Sequence, residues 1–266
     1  MAESSPQIPT GVPTAARVYD VMLGGRDNYE VDRVVAEASL AIMPELRDIA
    51  LHNRAMLHRV VRHLAADEGI AQFLDLGSGL PTVRNTHEVA QEVNAEARVV
   101  YVDIDPIVLA HGRAILADNA NTTVVTADIR EPDDLLGCPE VRALIDFDQP
   151  VCVMLVGILH HLADDENPGR IVQVLRDAVP SGSYFFITNF TRLGDAPESV
   201  ALEKQLLEQL GSGRVRTPAE LAGFFDGLEI LPPGLVPLPL WRPEEPVLDA
   251  STIDVRFMTG GVGRKP

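Results

Sequence analysis

The chain is short of three things, and each shortage removes a class of function. It has two cysteines in 266 residues. Cys138 sits in a loop-like stretch and Cys152 inside the apolar run Val151 to Val156, so no disulfide framework is expected and both read as free thiols. Basic residues number 22 against 39 acidic ones, for a formal charge of −17. With no Lys or Arg block in view, long-range attraction to nucleic acid or anionic lipid is disfavoured. No apolar segment approaches the roughly 20 residues of a membrane span, and Met1 to Pro13 has neither a basic nor an apolar leader region. The expectation is a soluble, cytoplasmic protein with neither nucleic acid nor membrane as a partner.

What is present is hydrophobic substance: 46% of the chain, enough for one sizeable α/β core with accessory helices. One domain spanning 1–266 is expected. Thr14 to Asp27 reads as a short helix ending at Gly24-Gly25, and Val31 to Met43 as another stopped at Pro44. From Leu46 to Leu64 the residues Leu46, Ile49, Ala50, Leu57, Val60, Val61 and Leu64 keep the three- and four-residue spacing of an amphipathic helix lying on a sheet. Together, 14–66 forms a helical extension before the first strand, with the character of a lid over the sheet edge.

The middle alternates strands near 71–76, 98–103, 122–127, 150–156 and 183–190 with helices near 83–95, 106–118 and 166–179. Strands such as Val151-Cys-Val-Met-Leu-Val lack polar alternation, as expected where helices cover both faces. The fold class is α/β with a doubly wound, mostly parallel sheet. Further on, Glu198 to Leu210 is helical, and Thr217 with Glu220 makes a capping box with proline at the first helical position. The proline-rich run from Leu231 to Leu240 cannot be a central strand throughout and reads as an edge segment leading to a closing hairpin.

The most informative stretch is Phe73-Leu-Asp-Leu-Gly-Ser-Gly-Leu-Pro-Thr, an apolar strand entering a glycine turn. Gly77 and Gly79 can adopt positive φ, which would let bare backbone N–H groups approach a ligand beside Asp75. A second apolar run ends at Asp103, whose carboxylate could accept both hydroxyls of a ribose. Asp105 could do so instead, but before Pro106 it is more simply a helix N-cap. Right-handed crossovers bring these two strand ends together, so the pair points to an adenosine-type cofactor.

Other polar residues admit plainer readings. His160 and His161 are adjacent, which lacks the i, i+4 spacing that puts two imidazoles on one helical face, so no metal site is expected. At the end of the fourth strand one should face the cleft, where either is a candidate general base, with Asn189 and Tyr19 as orienting groups. The acidic trio 164–166 should open the next helix. Around Gly24-Gly25, Arg17 and Arg26 could meet a carboxylate in bidentate fashion. His87, Trp241 and Arg242 are as readily structural.

The order Asp-Leu-Gly-Ser-Gly, Tyr-Val-Asp-Ile-Asp-Pro (101–106), Thr-Ala-Asp-Ile-Arg (126–130) and Leu-His-His-Leu (159–162) resembles class I S-adenosylmethionine-dependent methyltransferases. More narrowly, the chain resembles the S-adenosyl methyltransferase family once catalogued as a domain of unknown function. Its hallmarks appear here as Arg17-Val-Tyr-Asp-Val-Met-Leu-Gly-Gly-Arg-Asp-Asn-Tyr, the glycine-turn stretch, Asn85-Thr-His-Glu-Val-Ala and Gly261-Val-Gly-Arg-Lys. The resemblance covers nearly the whole chain.

It implies a seven-stranded Rossmann-like sheet, S-adenosylmethionine as cofactor and an unidentified small-molecule methyl acceptor. By it Asp75, Gly77, Ser78, Gly79 and Thr82 hold the methionine end, with Arg17 and Asn28 as further cofactor contacts. Asp103 takes the ribose hydroxyls, Ile104 packs on the purine, Asp128 accepts the adenine amino group and Ile129 serves its neighbouring nitrogen. His160, His161 and Tyr19 are the catalytic candidates. Pro81 stands where class I loops carry a third glycine. Two alternatives remain at this point: a nicotinamide-dependent oxidoreductase, which the threonine at 82 disfavours for helix packing, and a cofactor-binding regulator that transfers nothing.

Overall fold

The computed structural model describes residues 10–81, 84–115, 119–192, 197–245 and 257–266. Three helices come first: α1 (Ala15–Met22), α2 (Glu30–Ile42) and α3 (Leu46–Ala66). Thr14 caps α1, its hydroxyl accepting from the Arg17 amide. Pro44 stands just beyond Met43, the C-cap of α2, as a residue without an N–H should.

The chain then alternates β1 (Gln72–Leu76), α4 (Thr86–Val93), β2 (Arg98–Asp103), α5 (Pro106–Ile115) and β3 (Thr122–Thr126). Two short helices, α6 (Pro132–Gly137) and α7 (Pro139–Leu144), precede β4 (Cys152–Val156), and α8 (Pro168–Ala178) leads to β5 (Tyr184–Phe190). These five strands are parallel in the order β3-β2-β1-β4-β5, with the sequence reversing direction between β1 and β4.

The remainder is α9 (Pro197–Leu210), α10 (Pro218–Gly223), β6 (Glu229–Ile230), β7 (Val236–Pro237) and β8 (Met258–Arg264). The last strand inserts antiparallel beside β5, and both β6 and β7 pair with its far side. Among the described residues the sheet therefore has eight strands where seven were expected. The reason is local: Pro232 and Pro233 cannot donate to a ladder, so the outer segment is interrupted and splits into two two-residue pieces.

Strand alternation sorts the core. Phe73, Val99, Cys152, Met154, Tyr184 and Phe186 face a layer that includes Met56, Val60 and Leu64 of α3 and Val89 of α4. Leu74, Val100, Val153, Leu155 and Phe185 face the other layer, with Leu135, Val141, Ile171 and Leu175 from α6, α7 and α8. Helices thus cover both faces, as near-continuous apolar strands require. Cys138 and Cys152 are both free thiols, and among the described residues no helix is long and apolar enough to cross a membrane.

Three sequence expectations need correction. Glu166 does not begin a helix: Asp164–Glu166 forms a 3-10 turn, and Asn167, in a left-handed conformation, caps α8 through its side chain on the Arg170 amide. Helices α6 and α7 had no counterpart in the pattern, being six residues each and proline-led. The glycine-rich C-terminus was read as a family hallmark, without a strand assigned to it. It is a strand because its backbone pairs along the whole of β5, and its glycines suit the place because neighbours leave no room for side chains: a Cβ at Gly260 would lie 2.6 Å from Thr188 Cγ2 and 3.1 Å from the Ile187 carbonyl oxygen.

A backbone oxygen in a central strand cannot retreat as a side-chain tip can, so Gly260→Ala should lower stability by about 1–3 kcal/mol, the scale of overpacking a full core. A urea titration of the variant beside the parent reads this as a lower midpoint. An unchanged midpoint would mean that β5 and β8 can part without cost.

Candidate functional site

The carboxyl ends of β1 and β2 meet as expected, with Leu76 opposite Val102. Gly77 and Gly79 both have positive φ, 69° and 68°, and the two glycines serve different ends. A Cβ on Gly77 would strike Ile158 at 2.5 Å, whereas one on Gly79 would meet nothing within 4 Å. Gly77 is demanded by packing, and only Gly79 borders open space.

The turn's amides are not free, contrary to the reading from sequence. The N–H groups of Gly77 and Ser78 both donate to the Val102 carbonyl, at 2.8 and 3.1 Å, and that of Gly79 donates to Asp103 Oδ2 at 2.8 Å. The physical reason is proximity: where two parallel strands end side by side, the Val102 carbonyl, one residue before the end of β2, is within reach of the amides leaving β1. Ser78 Oγ, by contrast, is buried without a protein partner. Thr82 lies outside the described residues.

Asp103 is buried, and its other oxygen accepts the Asp105 amide at 2.9 Å. Burial pushes its carboxyl upward, against the backbone N–H groups of Asp105 and Gly79 that favour the anion. Asp105 caps α5 through the Ile107 amide at 3.0 Å, the simpler of its two sequence readings. Ile104, between them, is 56% exposed, an apolar side chain left uncovered at the sheet edge. Asp128, at the tip following β3, is gripped by Arg130 at 2.6 Å, which holds its carboxyl below the usual range. Ile129 is buried in the core.

Asp75 points to the α3 side and accepts the Thr86 hydroxyl at 2.7 Å. Burial raises its carboxyl to about 6, although the Thr86 hydrogen bond and the Arg54 charge pull the other way. A narrow cavity beside it is lined by Arg54, Ser78, Gly79, Thr86, His87 and Tyr101 among others. His87 donates its amide to the Tyr101 hydroxyl at 2.8 Å and its ring Nδ1 lies equally close to that oxygen, so it is a satisfied structural histidine. Arg54 Nη2 and His58 Nε2 both reach the Arg84 carbonyl, at 3.1 and 2.8 Å, tying α3 to the loop after the turn.

A second polar group lies at the ends of β4 and β5. The Tyr19 hydroxyl donates to the Ala50 carbonyl at 3.1 Å and accepts from Asn53 Nδ2 at 3.2 Å, while Asn53 Oδ1 accepts from the Thr188 hydroxyl at 2.9 Å. The position of a Cβ on Gly157 would be 3.6 Å from both Asn53 Nδ2 and His160 Cε1. His160 stacks on Phe190, centroids 4.0 Å apart; burial, with His161 and Arg216 nearby, drives its pKa far down, and its Nδ1 has no protein partner. His161 is instead bonded to Ser212 at 2.9 Å, and burial lowers it to about 4. Asn189 is buried, with Nδ2 on the Phe190 carbonyl.

Two residues expected at the cofactor are engaged within the N-terminal extension. The fully buried Arg17 guanidinium pairs with Asp32 at 3.2 Å, bonds the Val12 carbonyl and lies over the Tyr29 ring. Asn28 bridges Asp20, at 2.8 Å, and Arg33, at 2.9 Å. A buried charge leaves such a partner only at several kcal/mol, so Arg17 acts in holding α1 to α2. Sequence reading missed Asn53 and Arg54. The signal was there for Asn53: it stands four residues after Ile49 and three before Met56, a polar side chain inside the buried stripe of α3.

The whole chain, residues 1–266, matches the model of a family described as S-adenosyl methyltransferase. A crystal structure from Thermobifida fusca YX, provisionally named a methyltransferase, is 49% identical with a TM-score of 0.94, covering 100% of this chain and 99% of that one. A DUF574 family protein from Streptomyces avermitilis is 37% identical with a TM-score of 0.93, over 98% and 100%. Human N-acetylserotonin methyltransferase, solved with S-adenosylmethionine, shares the fold at 12% identity and a TM-score of 0.52, over 96% and 60%. No curated protein sequence matches the chain.

The raised carboxyl of Asp75 has a stability signature. A group held near 6 when folded and near 4 when unfolded favours the folded state fully below pH 4 and loses that contribution as pH rises through 6. The Asp75→Asn variant, which keeps an acceptor for Thr86, lacks this titration. Its stability relative to the parent should therefore rise by about 2–3 kcal/mol between pH 4 and pH 7. Chemical denaturation across that window measures it, and a constant difference would mean that Asp75 titrates normally.

Proposed function

The chain belongs to the S-adenosyl methyltransferase family, and from that premise we propose that it methylates a small-molecule acceptor bound next to the ends of β4 and β5. The enzyme is an S-adenosylmethionine-dependent methyltransferase, and the match favours that cofactor over the nicotinamide reading. When bound, S-adenosylmethionine supplies a methyl group already activated on a sulfonium. What falls to the protein is alignment, exclusion of water and management of one proton.

One observation carries the reading: Asp103, a buried carboxylate at the tip of β2, touches the glycine turn through one oxygen and the following loop through the other. Each oxygen keeps a further lone pair, which suits the paired hydroxyls of a ribose. The exposed Ile104 offers an apolar face for a purine, and the adenine contacts assigned to Asp128 and Ile129 belong to the loop after β3, the strand beside β2. Ser78 Oγ, buried and unpartnered, fits the need of a polar tail for one more hydrogen bond.

For the acceptor, the supported assignment is narrower than the sequence allowed. His160 is the candidate to take a proton from an acceptor hydroxyl or amine: its imidazole is held neutral and Nδ1 is unpartnered. His161 is spent on Ser212. Tyr19 and Asn53 orient through their shared hydrogen bond, and with the Tyr19 pKa raised by burial its hydroxyl stays protonated as a donor.

Calorimetric titration with S-adenosylhomocysteine tests the reading. Asp103→Ala should weaken binding roughly 10- to 100-fold, about 1–3 kcal/mol, the cost of unpaired polar groups. Parent-like affinity in that variant would remove the ribose contact, and heat from a nicotinamide dinucleotide in place of S-adenosylhomocysteine would reverse the choice of cofactor. Once an acceptor is found by screening for methyl transfer, His160→Gln should slow turnover at least 100-fold and His161→Ala should not.

A further inference from the structure

The narrow cavity beside the glycine turn contains a cation that the cofactor reading has not used. Arg54 projects from α3 into the same space as Asp75, Ser78, Gly79, Thr86 and Tyr101. Its Nη2 is engaged by the Arg84 carbonyl, but its Nε is buried without a protein partner. Ser78 Oγ, lining the same cavity, is in the same condition. Two buried donors facing one space call for an acceptor with more than one oxygen, since each unpaired donor carries a desolvation cost. Across the cavity stands an opposite charge, Asp75, buried and raised.

We propose that Arg54 binds the α-carboxylate of the amino-acid tail of S-adenosylmethionine, with Ser78 Oγ as a second donor and Asp75 taking the α-ammonium. This rests on the function proposed above. A zwitterionic tail matches the cavity term for term: its anion meets the guanidinium and the hydroxyl, and its cation meets a carboxylate whose ionised form is otherwise penalised by burial. The guanidinium is the fitting group here, because its fixed fork can hold the Arg84 carbonyl and still present Nε–H to an incoming oxygen. Arg54 also lies in reach electrostatically, its charge lowering the pKa of Asp75, Tyr101 and Tyr19.

Comparing two ligands separates this role from mere support of the loop. S-adenosylhomocysteine has the tail; 5′-methylthioadenosine has the same nucleoside and thioether without it. In Arg54→Gln, affinity for S-adenosylhomocysteine should fall at least 10-fold while affinity for 5′-methylthioadenosine stays within 2-fold of the parent. Ser78→Ala should reproduce the pattern more weakly, by several-fold. Should Arg54→Gln fail to fold, Arg54→Lys carries the same test, since it keeps the charge but loses the Nε donor and should retain only part of the preference. Equal loss for both ligands, or an unchanged ratio between them, overturns the proposal. Binding of neither ligand to the parent protein would instead overturn the cofactor reading itself.

Discussion

The contact on which the site depends is the pair of hydrogen bonds that Asp103 accepts from backbone. One oxygen takes the Gly79 amide and the other the Asp105 amide, so a single buried carboxylate joins the turn after β1 to the loop after β2. Hydrogen bonds to a charged acceptor are about twice as strong as neutral ones, and here they offset the burial that pushes the group upward. Without them the turn would keep its positive-φ glycines and its two amides on the Val102 carbonyl but lose its tie to the loop after β2. The same anchor fixes Asp105 as the cap of α5 and so sets the direction of that helix.

Helix α3 plays the complementary part on the other side of the turn. Its apolar face lies on the sheet through Met56, Val60 and Leu64, while two consecutive turns send polar groups to the edge. Asn53 reaches Tyr19 and Thr188, and Arg54 and His58 share the Arg84 carbonyl. Arg84 itself has a φ of 58°, a conformation rare for a non-glycine residue and one that a doubly accepting carbonyl helps to maintain. The helix before the first strand is thus part of the site's wall, and a change in its seating would be felt at both the turn and the β4 end.

The architecture was legible wherever periodicity and punctuation agree. Strands β1, β2 and β4 are mostly apolar and run into Gly77, end at Asp103 and run into Gly157, and the Thr217–Glu220 box is present, with the Thr217 amide on Glu220 Oε2 at 2.6 Å. Legibility failed where packing rather than pattern decides. Gly260, Gly261 and Gly263 look like a loop until Thr188, Leu235 and Leu228 are seen against them. The glycine turn was legible as a turn, but not the fate of its amides, since the Val102 carbonyl that absorbs two of them is 25 residues away in sequence. Arg17 shows the same limit: a basic residue beside a glycine pair suggests an anion site, and only tertiary structure reveals Asp32 as the anion.

Burial also decides what kind of proton chemistry the β4 end can support. A histidine left in water is about one-quarter protonated at pH 7 and would repel a positively charged donor. His160, stacked on Phe190 and shielded beneath the loop around Gly213 and Arg214, whose amides its carbonyl accepts, is held neutral instead. A neutral imidazole adds no positive charge to the ends of β4 and β5 and keeps a lone pair on one ring nitrogen. Low basicity limits the reverse: such a group holds a proton poorly without an anion to stabilise it, and its ring contacts are Phe190 and His161 rather than a carboxylate.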